Sequence, residues 1–168
     1  MHVNEIPHID LSDNPTHCCP RFDPAPWDEQ ELRFVDKPFV RASTRSVFHI
    51  PLNMGSVFAR TWAAIERAHD APVQPLVLSH EDSLWHAEHL FAVDHEVPGV
   101  EMTRLTGTFL TKVFEGPYSQ MRDWHSYMER WVAEKGARLE GLYFFYTTCP
   151  RCAKAYGLNY VVGLARVR

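Results

Sequence analysis

The chain has 168 residues, of which 45% are hydrophobic and 23% are charged, and these values are typical of one soluble globular domain. Its net charge of −4, without any basic run, excludes the electrostatic footprint of a nucleic-acid-binding protein. No apolar stretch approaches the roughly 18 residues that span a bilayer, and the N-terminus lacks the basic start and apolar core of a signal peptide. We therefore expect no membrane partner and a cytoplasmic location, where reducing conditions disfavour structural disulfides.

Residues 1–37 are predicted to form an irregular N-terminal arm because prolines interrupt them repeatedly. The prolines of this segment are Pro7, Pro15, Pro20, Pro24 and Pro26. A proline-rich segment has little tendency to adopt helix or strand by itself, and ordering it costs conformational entropy. We therefore expect another part of the chain to hold the arm in place.

All four cysteines lie in two clusters, Cys18 with Cys19 in the arm and Cys149 with Cys152 near the C-terminus. The Cys-Pro-x-Cys spacing of the second pair is typical of a zinc knuckle, which leaves two ligand positions for another segment. We therefore predict a structural zinc site with all four cysteines as ligands, and this site would tie the arm to the C-terminal part. Because adjacent side chains tend to diverge, His17 is an alternative ligand to Cys18.

Three other interpretations of the cysteines stay open at this stage. The first is a metal site with an open position that activates water. The second is a redox or nucleophilic thiol at Cys149, activated by Lys154 or Arg151. The third is a set of four thiols on adjoining loops that bind nothing.

The rest of the chain, residues 38–168, is predicted to be one domain that contains two similar halves, at about 38–97 and 103–168. The matched segments are residues 47–51 with 113–117, 76–78 with 142–144, and 89–93 with 160–164. In both halves the first segment is an apolar strand that ends at a proline, and apolar residues at helical spacing follow it. The sequence therefore predicts an α+β fold made of a duplicated strand–helix–strand–strand unit.

Glu115 and His49 occupy equivalent positions in the two halves, where the first strand meets the helix. We expect aromatic side chains around Glu115, and a poorly solvated carboxylate suits a general acid or base or a counter-ion for a cationic ligand. The alternative is a carboxylate that only stabilises the N-terminus of the helix through its dipole.

Glu88 belongs to the most polar cluster between the cysteine pairs. Strand alternation places Trp85, Ala87 and His89 on one face and His86 with Glu88 on the other. His86 and Glu88 form either a base–carboxylate pair or the solvated face of an edge strand.

Aromatic residues are predicted to line a ligand pocket between the two halves, with room for a flat apolar or cationic molecule. The candidates are Trp85, Tyr118, Trp124, Tyr143 and Phe145. The chain has no glycine-rich phosphate loop, no G-x-S-x-G motif and no dinucleotide fingerprint, which disfavours nucleotide cofactors and a serine-hydrolase mechanism.

The second half resembles the GyrI-like small-molecule-binding family in its strand 108–114, its turn 115–118, and its helix with Trp124 and Trp131. The whole chain resembles a narrower bacterial group labelled hydrolase. The matching segments are CCPRF (18–22), HIPLN (49–53), TKVFEGPY (111–118), YTTCPRCAK (146–154) and YGLNYVV (156–162). The resemblance implies two strand–helix–strand–strand repeats with a ligand pocket between them. A related GyrI-like branch comprises hydrolases that open cyclopropanes with a carboxylate and aromatic side chains.

These observations lead to a protein that binds a small organic molecule and carries a structural zinc. Hydrolysis of that molecule, with Glu115 or Glu88 as the acid or base, is left open. The alternative is a metal-handling or thiol-redox protein in which the cysteines themselves act. No helix-turn-helix accompanies the domain, so a DNA-binding regulator is disfavoured.

Overall fold

The computed structural model describes residues 2–47, 50–68, 74–81 and 83–168, and the chain divides into two compact units. Unit 1 contains residues 1–34 and 107–168, and unit 2 contains residues 35–106. The elements described are β1 (Glu31–Val47), β2 (Ile50–Pro51), α1 (Met54–Arg67), β3 (Val77–Glu81), β4 (His86–Ala92), β5 (Met102–Glu115), a 3-10 turn (Tyr118–Gln120), α2 (Met121–Glu134), β6 (Leu139–Tyr146), α3 (Pro150–Tyr156) and β7 (Tyr160–Val167). β1 and β5 contribute residues to both units.

In unit 2, β4 lies between β1 and β3, and both pairs are antiparallel. α1 forms because apolar residues recur at helical spacing, and it buries Val57 and Ile65. Ile65 packs in a core with Val40 of β1 and Phe91 of β4. The helix and the strands therefore share one apolar core.

In unit 1, β7 lies between β5 and β6, again in antiparallel pairs. α2 buries Trp124, Met128 and Trp131 against Leu142 of β6 and other residues of this sheet. Gly163 of β7 permits this close packing, because a Cβ at this position would lie only 2.9 Å from the Met128 Sδ. The smallest residue therefore sits where the helix approaches the sheet most closely.

Apart from the short β2 in unit 2 and α3 between β6 and β7 in unit 1, each unit has the order strand, helix, strand, strand, and the last strand lies between the other two. Within the described residues, the combination of helices with antiparallel strands confirms the coarse fold class, and α3 is a third helix that was not predicted. An internal duplication stays a prediction, since His49, the proposed counterpart of Glu115, lies outside the described residues. No helix within the described ranges is long and apolar enough to cross a membrane.

The arm is anchored by Trp27 as well as by the cysteines, and the sequence did not indicate this. Trp27 is completely buried, and its ring centroid lies 5.4 Å from that of Phe145. The Thr111 hydroxyl of β5 donates to the Trp27 carbonyl, and the Val113 amide donates to Asp28 Oδ1 at 2.9 Å. β1 already begins at Glu31, inside the range predicted to be irregular.

Candidate metal centre

The four cysteines meet in unit 1, and their Sγ atoms all lie within 4.8 Å of one another. The Cys18 Sγ lies 3.8 Å from the Cys19 Sγ and 4.0 Å from the Cys149 Sγ. Zinc bound tetrahedrally by thiolates, with Zn–S distances of about 2.3 Å, separates its sulfurs by roughly 3.8 Å. All four cysteines are free thiols, so this geometry can hold one metal ion without large movements.

The backbone before Cys18 explains how two adjacent cysteines reach the same centre. His17 adopts a left-handed conformation with a φ of 55°, which reverses the chain direction. Asn14 fixes the turn, because its carbonyl accepts the His17 amide at 3.1 Å and its Oδ1 accepts the Cys18 amide at 3.1 Å. His17 itself is exposed and lies outside the cluster, so Cys18 rather than His17 is the fourth candidate ligand.

The second pair is positioned by the start of α3. Cys149 is the N-cap residue, and Pro150 occupies the first helical position, where a missing N–H costs nothing. Cys152 follows in the first turn and is fully buried. The Cys149 amide donates to the Cys19 Sγ at 3.4 Å, a contact that stabilises negative charge on that sulfur.

The hydroxyl groups of Thr16 and Tyr156 contact the cysteine cluster. Thr16 Oγ1 lies 3.2 Å from the Cys152 Sγ and 3.0 Å from the Tyr156 hydroxyl oxygen. The Tyr156 hydroxyl donates to the Cys19 carbonyl at 2.5 Å. Outer contacts of this kind fix the orientation of metal ligands and tune their affinity.

The thiols of the cluster differ in the direction in which their pKa values are shifted. Burial raises the pKa of the Cys19 thiol. Burial also opposes ionisation of Cys152, but hydrogen bonds from Thr16 and then Cys149 outweigh it and lower the pKa of this thiol to about 6. The Arg151 guanidinium hydrogen-bonds to Cys18, and this contact raises the pKa of Arg151. A hydrogen bond with Cys19 lowers the pKa of Cys18, but burial and the neighbouring Cys152 and Cys149 outweigh it and raise this pKa. Cys152 is therefore the thiol whose ionisation the cluster favours.

Hydrogen bonds connect the cysteine cluster to the turn after β5. Thr148, which precedes Cys149, donates from Oγ1 to Asn159 Oδ1 at 2.8 Å. The Asn159 Nδ2 donates to the Gly116 carbonyl at 3.0 Å, and the Gly116 amide donates back to the Asn159 carbonyl at 3.0 Å. The Tyr118 hydroxyl donates to the Thr148 carbonyl, and burial raises the pKa of Tyr118.

Glu115, the first predicted catalytic residue, ends β5 and is exposed to solvent. The expectation that this carboxylate is poorly solvated is therefore wrong, and its catalytic role stays a prediction. Phe114 stacks on Trp124 of α2, with the ring centroids 5.5 Å apart, so strand alternation directs Glu115 to the opposite side.

Glu88, the second predicted catalytic residue, forms an ion pair with Arg41 of β1. Arg41 also contacts Glu101, with its Nη1 3.3 Å from the Glu101 Oε1. Glu88 and His86 are half-buried, whereas Ala87 is buried, as the alternation predicted. Glu88 is therefore paired with Arg41, and a catalytic role of Glu88 stays a prediction.

The predicted aromatic residues of unit 1 do not all lie on one face of its sheet. Trp85 is 53% exposed in unit 2, and the other four residues belong to unit 1. Trp124 packs on the α2 side of β6, whereas Phe145 contacts Trp27 on the other side. Burial raises the pKa of Tyr143. A role of these residues in ligand binding stays a prediction.

A buried histidine is the polar feature that the sequence analysis did not single out. His89 of β4 is 1% exposed, with Nδ1 2.8 Å from Ser79 Oγ and Nε2 2.9 Å from Thr44 Oγ1. The Phe58 ring of α1 covers it at 4.9 Å between centroids. Burial lowers the pKa of His89 to about 4, so the ring is neutral near pH 7. Strand alternation placed it on the same face as Ala87, and its two partners lie on other strands.

These features define a small mixed α/β protein whose described residues form antiparallel strands, three α-helices and a cluster of four cysteines. A family model described as Bacterial hydrolase matches residues 9–167, and the chain belongs to this family. The match confirms the resemblance to a bacterial group labelled hydrolase. The GyrI-like assignment stays a prediction.

Solved structures share the fold at low sequence identity. A hydrolase from Listeria innocua is 12% identical, with a TM-score of 0.57, over 84% of this chain and 92% of that chain. An uncharacterized conserved protein from Listeria innocua is 10% identical, with a TM-score of 0.59 and the same two coverages. The C-terminal domain of EcmrR is 14% identical, with a TM-score of 0.54, over 83% of this chain and 94% of that chain. No curated protein matches the chain.

Proposed function

We propose that Cys18, Cys19, Cys149 and Cys152 hold one zinc ion with a structural role. The observation that carries this proposal is the approach of all four Sγ atoms to within 4.8 Å of one another. Four thiolates complete the tetrahedral coordination of zinc and leave no position for water, which distinguishes a structural from a catalytic site. Soft thiolate ligands also disfavour magnesium and calcium, which prefer oxygen. Such a site fits a reducing cytoplasm.

The metal would join two segments that are distant in the sequence. Cys18 and Cys19 lie in the arm, and Cys149 with Cys152 begins α3. Zinc with four thiolates carries a net negative charge, which the Cys149 amide and the Arg151 guanidinium offset. The complete set of sulfur ligands and the full burial of Cys152 favour a permanent site over a metal-transfer function.

Cobalt(II) titration of the metal-free protein tests this proposal. We expect binding of about one equivalent, with intense sulfur-to-cobalt charge-transfer absorption and the visible bands of tetrahedral coordination. Cys152→Ser should weaken the charge-transfer band, and Ser83→Ala, which changes an exposed hydroxyl in unit 2, should leave it unchanged. Octahedral cobalt without sulfur absorption would contradict the proposal.

The second proposal is hydrolysis of a small apolar or cationic organic molecule, and membership of the Bacterial hydrolase family favours it. Of the two predicted carboxylates, Glu115 is the better candidate, because Glu88 is engaged by Arg41. Glu115 is accessible to solvent and adjoins the turn that Tyr118 and Asn159 connect to the cysteine cluster. An accessible carboxylate on a braced turn can activate water or bind a cation.

Glu115→Gln and Glu88→Gln separate these roles when assayed on small activated esters and strained-ring compounds. We expect Glu115→Gln to reduce kcat/KM by roughly 100-fold or more, the size of a general-base contribution. Its free energy of unfolding should change by less than about 1 kcal/mol. Glu88→Gln should retain turnover. A Glu115→Gln variant with the parent's kcat/KM would assign Glu115 to a structural role.

A further inference from the structure

The four thiols of the candidate metal centre differ strongly in their access to solvent. Cys18 is exposed, Cys19 and Cys149 are half-buried, and Cys152 is buried. Thr16 and Tyr156 cover the protected side of the cluster through their contacts with Cys152 and with the Cys19 carbonyl. A small oxidant in solution therefore reaches the Cys18 sulfur first, because it is the most exposed of the four sulfurs.

The geometry also selects the thiol that would react with an oxidised Cys18. Cys19 is closest, with 3.8 Å between the sulfurs, but consecutive Cα atoms lie only about 3.8 Å apart. Ordinary disulfides need Cα atoms roughly 4.4–6.8 Å apart, so a bond between Cys18 and Cys19 would be strained. Cys149 has its sulfur 4.0 Å from that of Cys18 and comes from a distant part of the chain. Closing this gap to a disulfide needs a movement of about 2 Å.

We propose that the cysteine centre is an oxidation site, at which a hydroperoxide converts Cys18 and Cys149 to a disulfide and releases the metal. This inference rests on the proposed zinc site. The Cys18 thiolate attacks one oxygen of hydrogen peroxide, the O–O bond breaks, and a sulfenic acid and hydroxide form. The Cys149 thiolate then attacks the sulfenic sulfur, which forms the S–S bond and expels a second hydroxide. Two thiolates are oxidised by two electrons, and the peroxide is reduced.

The consequence is an exchange of one cross-link for another. Zinc loses two of its four ligands and dissociates from Cys19 and Cys152. The disulfide still joins the arm to the start of α3, the same two segments that the metal would join. Trp27, which contacts Phe145 and is independent of the cysteines, holds the arm in either state. Oxidation should therefore release zinc without unfolding unit 1.

Tryptic mapping can identify the disulfide, because Arg151 separates Cys149 from Cys152. Cleavage after arginine and lysine places Cys18 and Cys19 in residues 1–21, Cys149 in residues 139–151, and Cys152 in residues 152–154. Zinc-loaded protein receives one equivalent of hydrogen peroxide. Released zinc is measured with a chromogenic chelator, and the peptides are separated without reduction. Fragmentation of the linked peptide distinguishes Cys18 from Cys19.

We expect one zinc released per disulfide formed, a link between residues 1–21 and 139–151 at Cys18, and recovery of zinc binding after reduction. Cys19→Ser should still form this link, and Cys149→Ser should not. A link between residues 139–151 and 152–154, or full zinc retention after peroxide treatment, would overturn the inference. Zinc content before oxidation reports separately on the proposed metal site. If that content is zero, the metal proposal fails and the peptide map still tests the disulfide.

Discussion

The cysteine centre of unit 1 and the His89 network of unit 2 both gather polar side chains from separate segments. Each ring nitrogen of His89 has its own hydroxyl partner, Ser79 or Thr44, and the ring is neutral. This network is complete as it stands. The cysteines place four sulfurs together, and thiols are weak hydrogen-bond donors and acceptors that satisfy one another poorly. A cation could complete such a set.

The comparison shows that burial and proximity alone do not identify a functional site. A buried polar group with all its partners stabilises the core, whereas four sulfurs gathered at the spacing of metal ligands indicate a candidate ligand site. By this criterion His89 is a structural residue, and the cysteines are the candidate binding site. The variants described below test this distinction.

The largest effect should come from Cys149→Ser, which removes one metal ligand. Ligand binding to the folded state alone stabilises it by about 4 kcal/mol when free ligand exceeds the dissociation constant 1,000-fold. We therefore expect a loss of roughly this size in the free energy of unfolding, measured by urea denaturation at fixed free zinc. A strong chelator should impose the same loss on the parent protein. Equal stability of the variant, the parent and the chelated parent would show that no metal stabilises the folded state.

The next effect is the pH dependence of stability caused by His89. Its pKa is about 4 in the folded state against 6.5 for an ordinary histidine, so the unfolded chain binds more protons between these values. Stability is therefore fully present above pH 6.5 and is lost as the pH falls towards 4, by up to about 3 kcal/mol. His89→Gln should lose less stability than the parent over this interval. Parallel stability curves for the two proteins would show that His89 is not the titrating group.

A smaller effect, on metal affinity, should follow from removal of the Thr16 or Tyr156 hydroxyl group. Thr16→Val or Tyr156→Phe leaves all four ligands in place but removes contacts to Cys152 or to the Cys19 carbonyl. Loss of such contacts typically weakens metal affinity by about 10–100-fold. Competition with a chelator of known affinity measures this change. Tyr127→Phe, on the exposed side of α2, is the control and should bind zinc as the parent does.

The smallest effect concerns Arg41, which contacts two carboxylates of different exposure. Glu88 is 19% exposed and Glu101 is 66% exposed. Ion pairs near the surface contribute about 0–1 kcal/mol, and solvent screens the more exposed pair further. Glu88→Gln should therefore lower the free energy of unfolding by up to about 1 kcal/mol, and Glu101→Gln by close to nothing. A larger loss for Glu101→Gln would reverse this order.

Features that depend on local spacing were predictable from the sequence. The helical periodicity around Ile65 and Trp124 indicated α1 and α2, and the two cysteine pairs indicated a shared centre. Features that depend on contacts between distant segments were not. The choice of Cys18 over His17 depends on the left-handed backbone at His17, and the exposure of Glu115 depends on which side of β5 faces α2.

The anchoring of the arm by Trp27 was missed for the same reason. The sequence around Trp27 does not indicate that Trp27 contacts Thr111 and Phe145, because both residues lie far along the chain. The partners of His89 lie likewise on β1 and β3. Patterns within one segment therefore predicted the elements, and tertiary packing decided which polar residues are satisfied.

The most direct test of the central claim is the metal content of the parent protein, purified without chelator and analysed for all transition metals. About one zinc per chain, with all four thiols protected from a thiol reagent until a chelator is added, is the predicted result. A metal-free protein whose thiols react at the same rate with and without chelator would contradict it. The cysteine cluster would then be four adjoining thiols and no metal site.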